Sequence, residues 1–596
     1  MKVSDFVVSF VESQKVKDVF LLAGGGIMHL LDSLAKNDAI RKYYNLHEQA
    51  SGFCADGYAL YTGKPGVCFV TTGPGGTNTI TAVTSSYIDS TPVVYFSGQV
   101  RTDTITTIPG VRQTGAQEAD IISIVTPITK YAVTVLKADD IRYHLEKAFF
   151  IATHERPGPV WIEIPLDVQS AEIDPAELDG FDAPVEGFIK STAPRSSQME
   201  ELLVELKKAK RPVILVGSGV RLANSEEALR AFVRETGIPV VSSRRMRDIL
   251  KDDDERFYFG CVGSLADRYA NYVVQNSDLL LSIGSGLRYY LTAYNDANFA
   301  PNAKRFIVNI AEPELEKLHM DGAVLIAADA KEFLLAALEK LKYPLPDWSV
   351  WIKYCNSMKK KYPSAGVWSP EDSNAVNPYQ VAHLIGEFMG DGDVLVTSPS
   401  AFAYVFSIPR IQKSQRVISH IGLGSMGTAL PEAIGACVAS GACTIVCEGD
   451  GSLQHNIQEL ATVRRYNLPL KIVVDSNAGY RQIHTMQNTH FKGRLAGCDE
   501  ESGIIFPDLK LLSDAYGLKY ARIDTEDIAE DAIRDMLSNP EPMIVEMMTP
   551  MDVEYLPVMK SKMDANGVMS TPSLELLFPF LPDEEHAENM KISNED

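Results

Sequence analysis

The chain has 596 residues, a net formal charge of −22 and a pI of about 5.0. At roughly 150 residues per domain this length implies three or four domains, and with no basic field to attract polyanions the charge excludes nucleic acid and an anionic membrane surface as partners. No apolar run reaches the roughly 18 residues of a bilayer span, and the eight cysteines are scattered without a CxxC pair, several in apolar runs (Cys68, Cys437, Cys443, Cys447), the pattern of reduced thiols in a cytoplasmic protein.

The opening segment, MKVSDFVVSFVESQKVKDVF, carries Asp5 and Glu12 within an apolar periodicity and predicts an amphipathic helix rather than a signal peptide. Three groups of strand candidates follow, each alternating with helical periodicity. The first comprises 18–24, 66–73, 92–98 and 159–165; the second 212–219, 238–242, 278–284 and 305–310; the third 393–397, 443–447, 470–474 and 542–548. Near-continuous apolar strands separated by helices imply parallel sheets covered on both faces. The expected fold is therefore α/β, with three parallel-sheet domains. Polar linkers at 176–187 (AELDGFDAPVEG) and between 343 and 375 (YPLPDW, SPEDSN) divide the chain into domains at 1–180, 190–345 and 370–560, leaving 561–596 as a tail. That tail is too poor in apolar residues to pack alone and is expected to dock through Leu574 to Leu581 and fray beyond.

The most specific chemistry lies in the third group. The run CTIVC (443–447) leads into Glu448-Gly449-Asp450-Gly451-Ser452, and LKIVV (470–474) leads into Asp475-Ser476-Asn477-Ala478-Gly479-Tyr480. Each turn is ordinary alone, but the 27-residue spacing from Asp450 to Asn477 (477 minus 450) fits strand, helix, strand. The helix between is expected to be amphipathic through Ile457, Leu460, Ala461 and Val463. Two adjacent parallel strands can then present the Asp450 carboxylate, the Asn477 amide oxygen and the carbonyl near Gly479 together, a ligand set for Mg²⁺ clamped on a diphosphate. Glycines 449 and 451 allow close backbone approach, and a helix starting near Ser452 would aim N–H groups at the phosphates.

This stretch, GDGSLQHNIQELATVRRYNLPLKIVVDSN, resembles the thiamine diphosphate motif of the acetohydroxyacid (acetolactate) synthase and pyruvate decarboxylase superfamily. The segment HEQASGFCADGYA (47–59) is similar to that family's glutamate motif, and further matches follow the family's order: TTGPGGTN (71–78), Gly98-Gln99, AQEAD (116–120), ITKY (128–131), RPGPVWIEIPLDVQ (156–169) and GLGSMGTALPEAIGA (422–436). The resemblance covers the chain from start to tail. It implies a pyrimidine-binding domain, a central Rossmann-like domain and a diphosphate-binding domain, with thiamine diphosphate and Mg²⁺ as cofactors. It implies that Glu48 shares a proton with the aminopyrimidine ring, that Gln117 donates to a substrate oxygen, and that the backbone at Gly25 and Gly26 approaches the reacting carbonyl. By the same resemblance Met426 props the cofactor in its bent form, while Thr72, Gly424, Gly449, Gly451, Ser452 and Tyr480 complete its surroundings and Asp450, Asn477 and Gly479 hold the metal; Ser400, in a segment that departs from the family, is expected to serve the diphosphate with nearby backbone N–H groups. The implied partners are small molecules, a 2-oxo acid donor and a carbonyl acceptor, and the implied assembly is a homodimer or homotetramer, since in this family the glutamate and the metal site meet across a subunit interface.

Several positions depart from the family. FAD binding by the central domain stays open beside a ligand-free domain: the glycine motifs at 217–224 and 284–290 are weak signals, and Gly286 and Asn309-Ile310-Ala311 replace the arginine and acidic residues of flavin-binding synthases. At the diphosphate, 397–402 (TSPSAF) replaces a GxGQHQ-like segment. Ala116 stands where a phenylalanine is usual and Met486 where a tryptophan reads the acceptor, which implies a larger acceptor pocket near His484, Gln487, His490 and Arg494. The segments at 480–508 and 572–585 resemble the subgroup associated with bacterial surface-sugar pathways, some of whose members transfer a two-carbon unit onto a nucleotide-linked keto sugar. Acetolactate synthesis from two pyruvates, simple decarboxylation, and a non-catalytic paralogue are the alternatives.

Overall fold

The computed structural model describes residues 1–188, 193–341, 344–364, 375–412, 414–552, 554–563 and 569–592. The SPEDSN linker and the last four residues of the tail lie outside them. Three six-stranded sheets, every pairing parallel, organise the chain. The first contains β1 (Asp18–Leu21), β2 (Arg41–Tyr44), β3 (Gly66–Val70), β4 (Val93–Gln99), β5 (Tyr131–Thr134) and β6 (Val160–Pro165) in the order β2-β1-β3-β4-β6-β5. The second contains β7 (Pro212–Val216), β8 (Val240–Ser242), β9 (Tyr258–Cys261), β10 (Leu279–Ile283), β11 (Lys304–Asn309) and β12 (Val324–Ala327) in the order β12-β11-β10-β7-β8-β9. The third contains β13 (Val394–Thr397), β14 (Arg416–Ser419), β15 (Thr444–Gly449), β16 (Leu470–Ser476), β17 (Lys519–Ile523) and β18 (Met543–Met548) in the order β14-β13-β15-β16-β18-β17. The expected α/β class with three parallel sheets is thus the observed one, and the first and third sheets share one topology.

The opening helix, Val3–Ser13, buries Val3, Val7, Val8 and Val11 at the spacing its sequence predicts. The first and third sheets share one core, in which Phe20, Cys68, Val70 and Tyr95 pack in continuity with Val394, Val446, Ile472 and Val474. Helix Glu48–Thr62 and helix Ala429–Ser440 meet there with their backbones in contact. A Cβ at Gly57 would stand 2.1 Å from the Glu432 carbonyl oxygen, and one at Gly435 1.9 Å from that of Cys54. Only glycine permits this approach.

Two expectations are corrected. The segment after Asp450 is not one amphipathic helix: short helices Asp450–Leu453 and Leu460–Tyr466 flank a 3₁₀ stretch, broken at Asn456 (φ −137°). Asn456 leaves the helical path because its buried amide donates to the Gly427 carbonyl (2.7 Å) and the Gln49 side chain (3.1 Å). The tail does bury Leu574 in the core of the second sheet, with Leu581, Met590 and Ile592 packed against it, and Leu577 is fully buried; among the described residues it does not fray beyond Leu581. It continues as helix Asp583–Asn589, whose Asn589 carbonyl accepts from Tyr354 and Asn276.

Candidate active site

In open parallel sheets ligands bind beyond the C-terminal ends of the strands, where the chain order reverses. In the third sheet that point lies between β13 and β15, and the motif residues collect there. Asp450 follows β15, its Oδ2 accepting the N–H groups of Asn477 (2.9 Å) and Ala478 (2.7 Å) and its Oδ1 that of Gly451 (2.7 Å). Ala478 takes a left-handed φ of +59°, which turns the loop after β16 back onto Asp450. The side-chain oxygen of Asn477 is buried with no hydrogen-bond partner. Burial pushes the Asp450 carboxyl up to about 6, with Asp475 adding to the effect, and burial pushes Glu448 up to about 7. The buried Asp450 carboxyl and the unpartnered Asn477 amide oxygen form a hard-oxygen donor pair, and a divalent cation would relieve both.

The glycines here serve close approach. A Cβ at Gly449 would meet Ser400 Oγ at 2.9 Å, one at Gly451 the Tyr480 ring at 2.3 Å, and one at Gly479 the Cys498 carbonyl at 2.1 Å. The approach of Gly449 to Ser400 brings 397–402 to the motif, and Ser400 Oγ is held within its segment by Ser398 Oγ at 2.8 Å. Gly424 (φ +68°) faces open space, Met426 is 39 % exposed, and the Gly427 N–H donates to Ser452 Oγ (2.9 Å), which fixes the segment 422–427 to the same site.

The first sheet reverses between β1 and β3, and its motif residues stand at that point too. Gly26 N–H donates to Thr71 Oγ1 (3.0 Å), and a Cβ at Gly26 would collide with Thr72 Oγ1 at 1.9 Å. That Thr72 oxygen is buried without a partner. Gly25 borders open space. Glu48 opens helix Glu48–Thr62, capped by His47, whose Nδ1 accepts the Gln49 N–H. It is 7 % exposed and accepts from Asn78 Nδ2 at 2.9 Å. Gln117 is exposed in a turn with φ +64°, its carbonyl pressed against Gly73.

Three positioning side chains escaped the sequence reading. Asn78 orients Glu48 and lies within the quoted TTGPGGTN match, so its motif was a usable signal. Glu459 grips the loop before Glu48, accepting from Asn45 Nδ2 and Leu46 N–H, both at 2.9 Å. Arg481 closes the base of the 476–480 loop by pairing with Asp475 at 2.8 Å. Neither of the last two had a local signal. Among the described residues no contact joins Glu48 to Asp450 or Asn477. The two regions are joined instead through Glu459 and through Asn456, which donates to both Gln49 and the Gly427 carbonyl. Of the residues expected near an acceptor, Gln487 is engaged with both main-chain groups of Ala496 and His484 is buried beside Asn488, while His490 and Arg494 are exposed.

Between the two halves lies a buried ion cluster. Asp56, His420 and Glu432 have ligand atoms within 4.8 Å of one another, yet they do not read as a metal centre. Both ring nitrogens of His420 are occupied, Nε2 by Asp56 at 2.7 Å and Nδ1 by Asp89 at 2.8 Å. Burial alone would strip the imidazole of its proton, but Asp56, Glu432 and Asp89 hold it well above the ordinary histidine range. An imidazolium has no lone pair to offer a cation.

The second sheet carries its own cavity, about 590 Å³, at the reversal between β7 and β10, bordered by Gly217, Gly219, Gly284, Arg288, Tyr289 and Asn309. Its two glycine turns pack on each other, since a Cβ at Gly217 would lie 2.3 Å from the Gly284 carbonyl oxygen.

Comparison with known proteins follows this division. Residues 1–124 match the thiamine pyrophosphate enzyme N-terminal TPP binding domain, 199–337 the central domain of the same enzymes, and 388–547 their C-terminal TPP binding domain. The chain is 32 % identical to the chloroplastic acetolactate synthase of Arabidopsis thaliana over 582 residues, covering 96 % of this chain and 84 % of that protein. It is 32 % identical to the chloroplastic acetolactate synthase 2 of Brassica napus over 567 residues (94 % and 87 %). It is 30 % identical to the acetolactate synthase large subunit of Lactococcus lactis over 568 residues (95 % and 96 %).

Proposed function

The chain belongs to the thiamine pyrophosphate enzymes, in the superfamily of acetolactate synthases and pyruvate decarboxylases, and on that premise we propose that it is a thiamine diphosphate- and Mg²⁺-dependent carboligase that transfers an acyl unit from a 2-oxo acid, pyruvate first among candidates, to a carbonyl acceptor. The observation carrying the metal and cofactor assignment is the unpartnered Asn477 oxygen beside the buried Asp450 carboxyl at one reversal point, matched by the unpartnered Thr72 oxygen at the other. Bound thiamine diphosphate supplies the carbanion chemistry. In this reading Asp450, Asn477 and the Gly479 carbonyl hold Mg²⁺, and Ser400, Gly424, Gly449, Gly451, Ser452 and Tyr480 surround the diphosphate. Met426 would support the cofactor. Glu48, fixed by Asn78, holds a proton at pyrimidine N1′. Gln117 and the backbone at Gly25, with Gly26 tied to Thr71 behind it, face the substrate oxygen.

The acceptor reading is larger than pyruvate. Ala116 is small and exposed, and Met486, on helix Arg481–Phe491, is 43 % exposed, where the family places aromatic walls. A nucleotide-linked keto sugar, as used in the surface-sugar subgroup, suits such a space; acetolactate synthesis and simple decarboxylation are the rivals. We assign 1–180, 190–345 and 370–560 as pyrimidine-binding, central and diphosphate-binding domains with 561–596 as tail, and a homodimer or homotetramer as the working assembly. Large apolar side chains exposed around the site, Met28 (53 %), Leu46 (54 %) and Ile505 (78 %), favour a covering partner. The cytoplasm is proposed as its compartment, in keeping with eight free cysteines; among the described residues no helix is long and apolar enough to cross a membrane. For the central cavity FAD is the ligand to test first, by the absorption spectrum of purified protein. The deciding experiment for function is incubation with Mg²⁺, thiamine diphosphate and labelled pyruvate, with and without a nucleotide-linked keto sugar. Product that carries label on the sugar supports the proposal, and acetolactate formed at an undiminished rate in its presence replaces it.

A further inference from the structure

Asp89 ends helix Ile80–Asp89, which leads into β4, and is 2 % exposed, yet it is among the most engaged carboxylates in the chain. Its Oδ2 accepts from His420 Nδ1 (2.8 Å), Gly422 N–H (3.2 Å) and Ile421 N–H (3.3 Å) of the third sheet. Its Oδ1 pairs with Arg288 (2.9 Å) and, more distantly, Arg245 (3.6 Å) of the second sheet. Arg288 also donates to the Ile88 carbonyl (2.5 Å) and Arg245 to that of Asp89 (3.0 Å), so both guanidiniums hold the helix end as well as its side chain. One carboxylate therefore joins all three sheets. The fit is tight on the far side too: a Cβ at Gly422 would lie 2.4 Å from Asp89 Oδ1 and 2.5 Å from Arg288 Nη1.

Gly422 begins the segment that carries Gly424 and Met426 and ends at Gly427, bonded to Ser452. Gly424 (φ +68°) and Gly427 (φ +76°) add no side chain to brace it, and a Cβ at Gly424 would meet open space. Its position is set by its two anchored ends, Asp89 at one and Ser452 at the other. We propose that Asp89 is a positioning residue for the cofactor site, gripping the Ile421 and Gly422 amides while Arg288, Arg245 and His420 hold its own carboxylate, so that Met426 stands at the height the bound cofactor needs. This rests on the reading of Met426 as the cofactor's support. Asp89 touches no reacting atom; it acts through the backbone of 421–427. Displacements near 1 Å in a site of this kind can lower a rate by about 10²-fold.

The test uses the full-length protein as wild type, Asp89→Asn and Arg288→Gln. Asn keeps the size and one acceptor oxygen but loses the ion pairs. Arg288, 41 % exposed in its side chain, can be replaced with little threat to folding should Asp89→Asn fail to fold. Thermal midpoint, thiamine diphosphate affinity at saturating Mg²⁺, and the rate of C2 proton exchange of the saturating cofactor in D₂O are measured for each. We expect exchange at saturation to slow about 10-fold or more in Asp89→Asn and by a smaller factor in Arg288→Gln, with weaker cofactor affinity in both. Wild-type exchange rates in the folded, saturated variants, even with lowered thermal midpoints, would show a merely structural role and overturn the proposal. A wild-type protein that binds no thiamine diphosphate would instead defeat the reading of the site itself, and the proposal with it.

Discussion

Asn477 Oδ1 is buried without a partner, a condition that costs roughly 1–3 kcal/mol unless something outside the chain satisfies it. Asp450→Ala should accordingly abolish Mg²⁺-dependent binding of thiamine diphosphate while the fold stands, and calorimetric titration reads the loss directly; unchanged affinity would remove Asp450 from the metal. Glu48 holds a different kind of role, because Asn78 fixes one of its oxygens and the first helical turn holds it in place. Glu48→Gln should still bind cofactor but exchange the C2 proton on the order of 10² to 10⁴ more slowly, the usual loss when a positioned proton-transfer group is removed. NMR in D₂O decides it. A third residue links pH to stability. Burial pushes Glu163 up to about 8, against hydrogen bonds from Thr134 (2.6 Å) and Gln99 (2.9 Å). A carboxyl whose folded pKa lies above its unfolded one near 4.5 contributes stability below that unfolded value and loses it as pH rises towards 8. Glu163→Gln should therefore flatten the fall in urea midpoint between pH 5 and about 8, and an unchanged difference between variant and wild type across that range would contradict the assignment.

At the scale of elements, each sheet divides the same way: its four inner strands are the four read from sequence, and its two edges are the two not read. Inner strands are covered on both faces and flanked on both sides, so they carry a near-continuous apolar run, as β3 and β7 do. Edge strands β2 (RKYY) and β17 (KYARI) are half exposed and carry lysine and arginine, which leaves no continuous apolar run to detect. β9 and β14 are largely buried, but Gly260 breaks the apolar run of one, and Arg416 and Ser419 leave only two apolar residues in the other. The helix after Asp450 was misread for a different reason: Asn456 satisfies Gly427 and Gln49 rather than the helical path, and tertiary bonding overrode local periodicity. The crossing of helices Glu48–Thr62 and Ala429–Ser440 yields a prediction at this scale. Gly57→Ala would gain up to about 1 kcal/mol of helix propensity, but its Cβ would stand 2.1 Å from the Glu432 carbonyl, and overpacking a core commonly costs about 1–3 kcal/mol. The thermal midpoint should fall; a rise would mean the helices separate without penalty.

On the scale of the whole molecule, the first and third sheets repeat one topology and face each other through a common core, and each concentrates its motif residues at its own reversal point. The second sheet stands apart in strand order and is tied to both through Asp89. In the proposed reading, the non-aromatic side chains at Ala116 and Met486 act on the acceptor step alone. Ala116→Phe is thus expected to impair carboligation with a bulky acceptor much more than CO₂ release from the donor, with both followed in parallel. Equal loss of the two, or no loss of either, would return acetolactate synthesis to first place.

What the sequence alone determined is what is local or periodic: the α/β class, the inner strands, and motifs such as 449–452 and 475–480 in which residues close in the chain share one turn. Their chemistry is legible because a strand end presents its next few residues together. What only the tertiary structure decided is which distant groups hold those motifs. Asn78 reaches Glu48 across 30 residues, Arg288 reaches Asp89 across 199, and the Gly422 amide reaches the same carboxylate across 333. No spacing or periodicity encodes such pairs, because they form only where three separately folded sheets bring their strand ends and helix ends to one place.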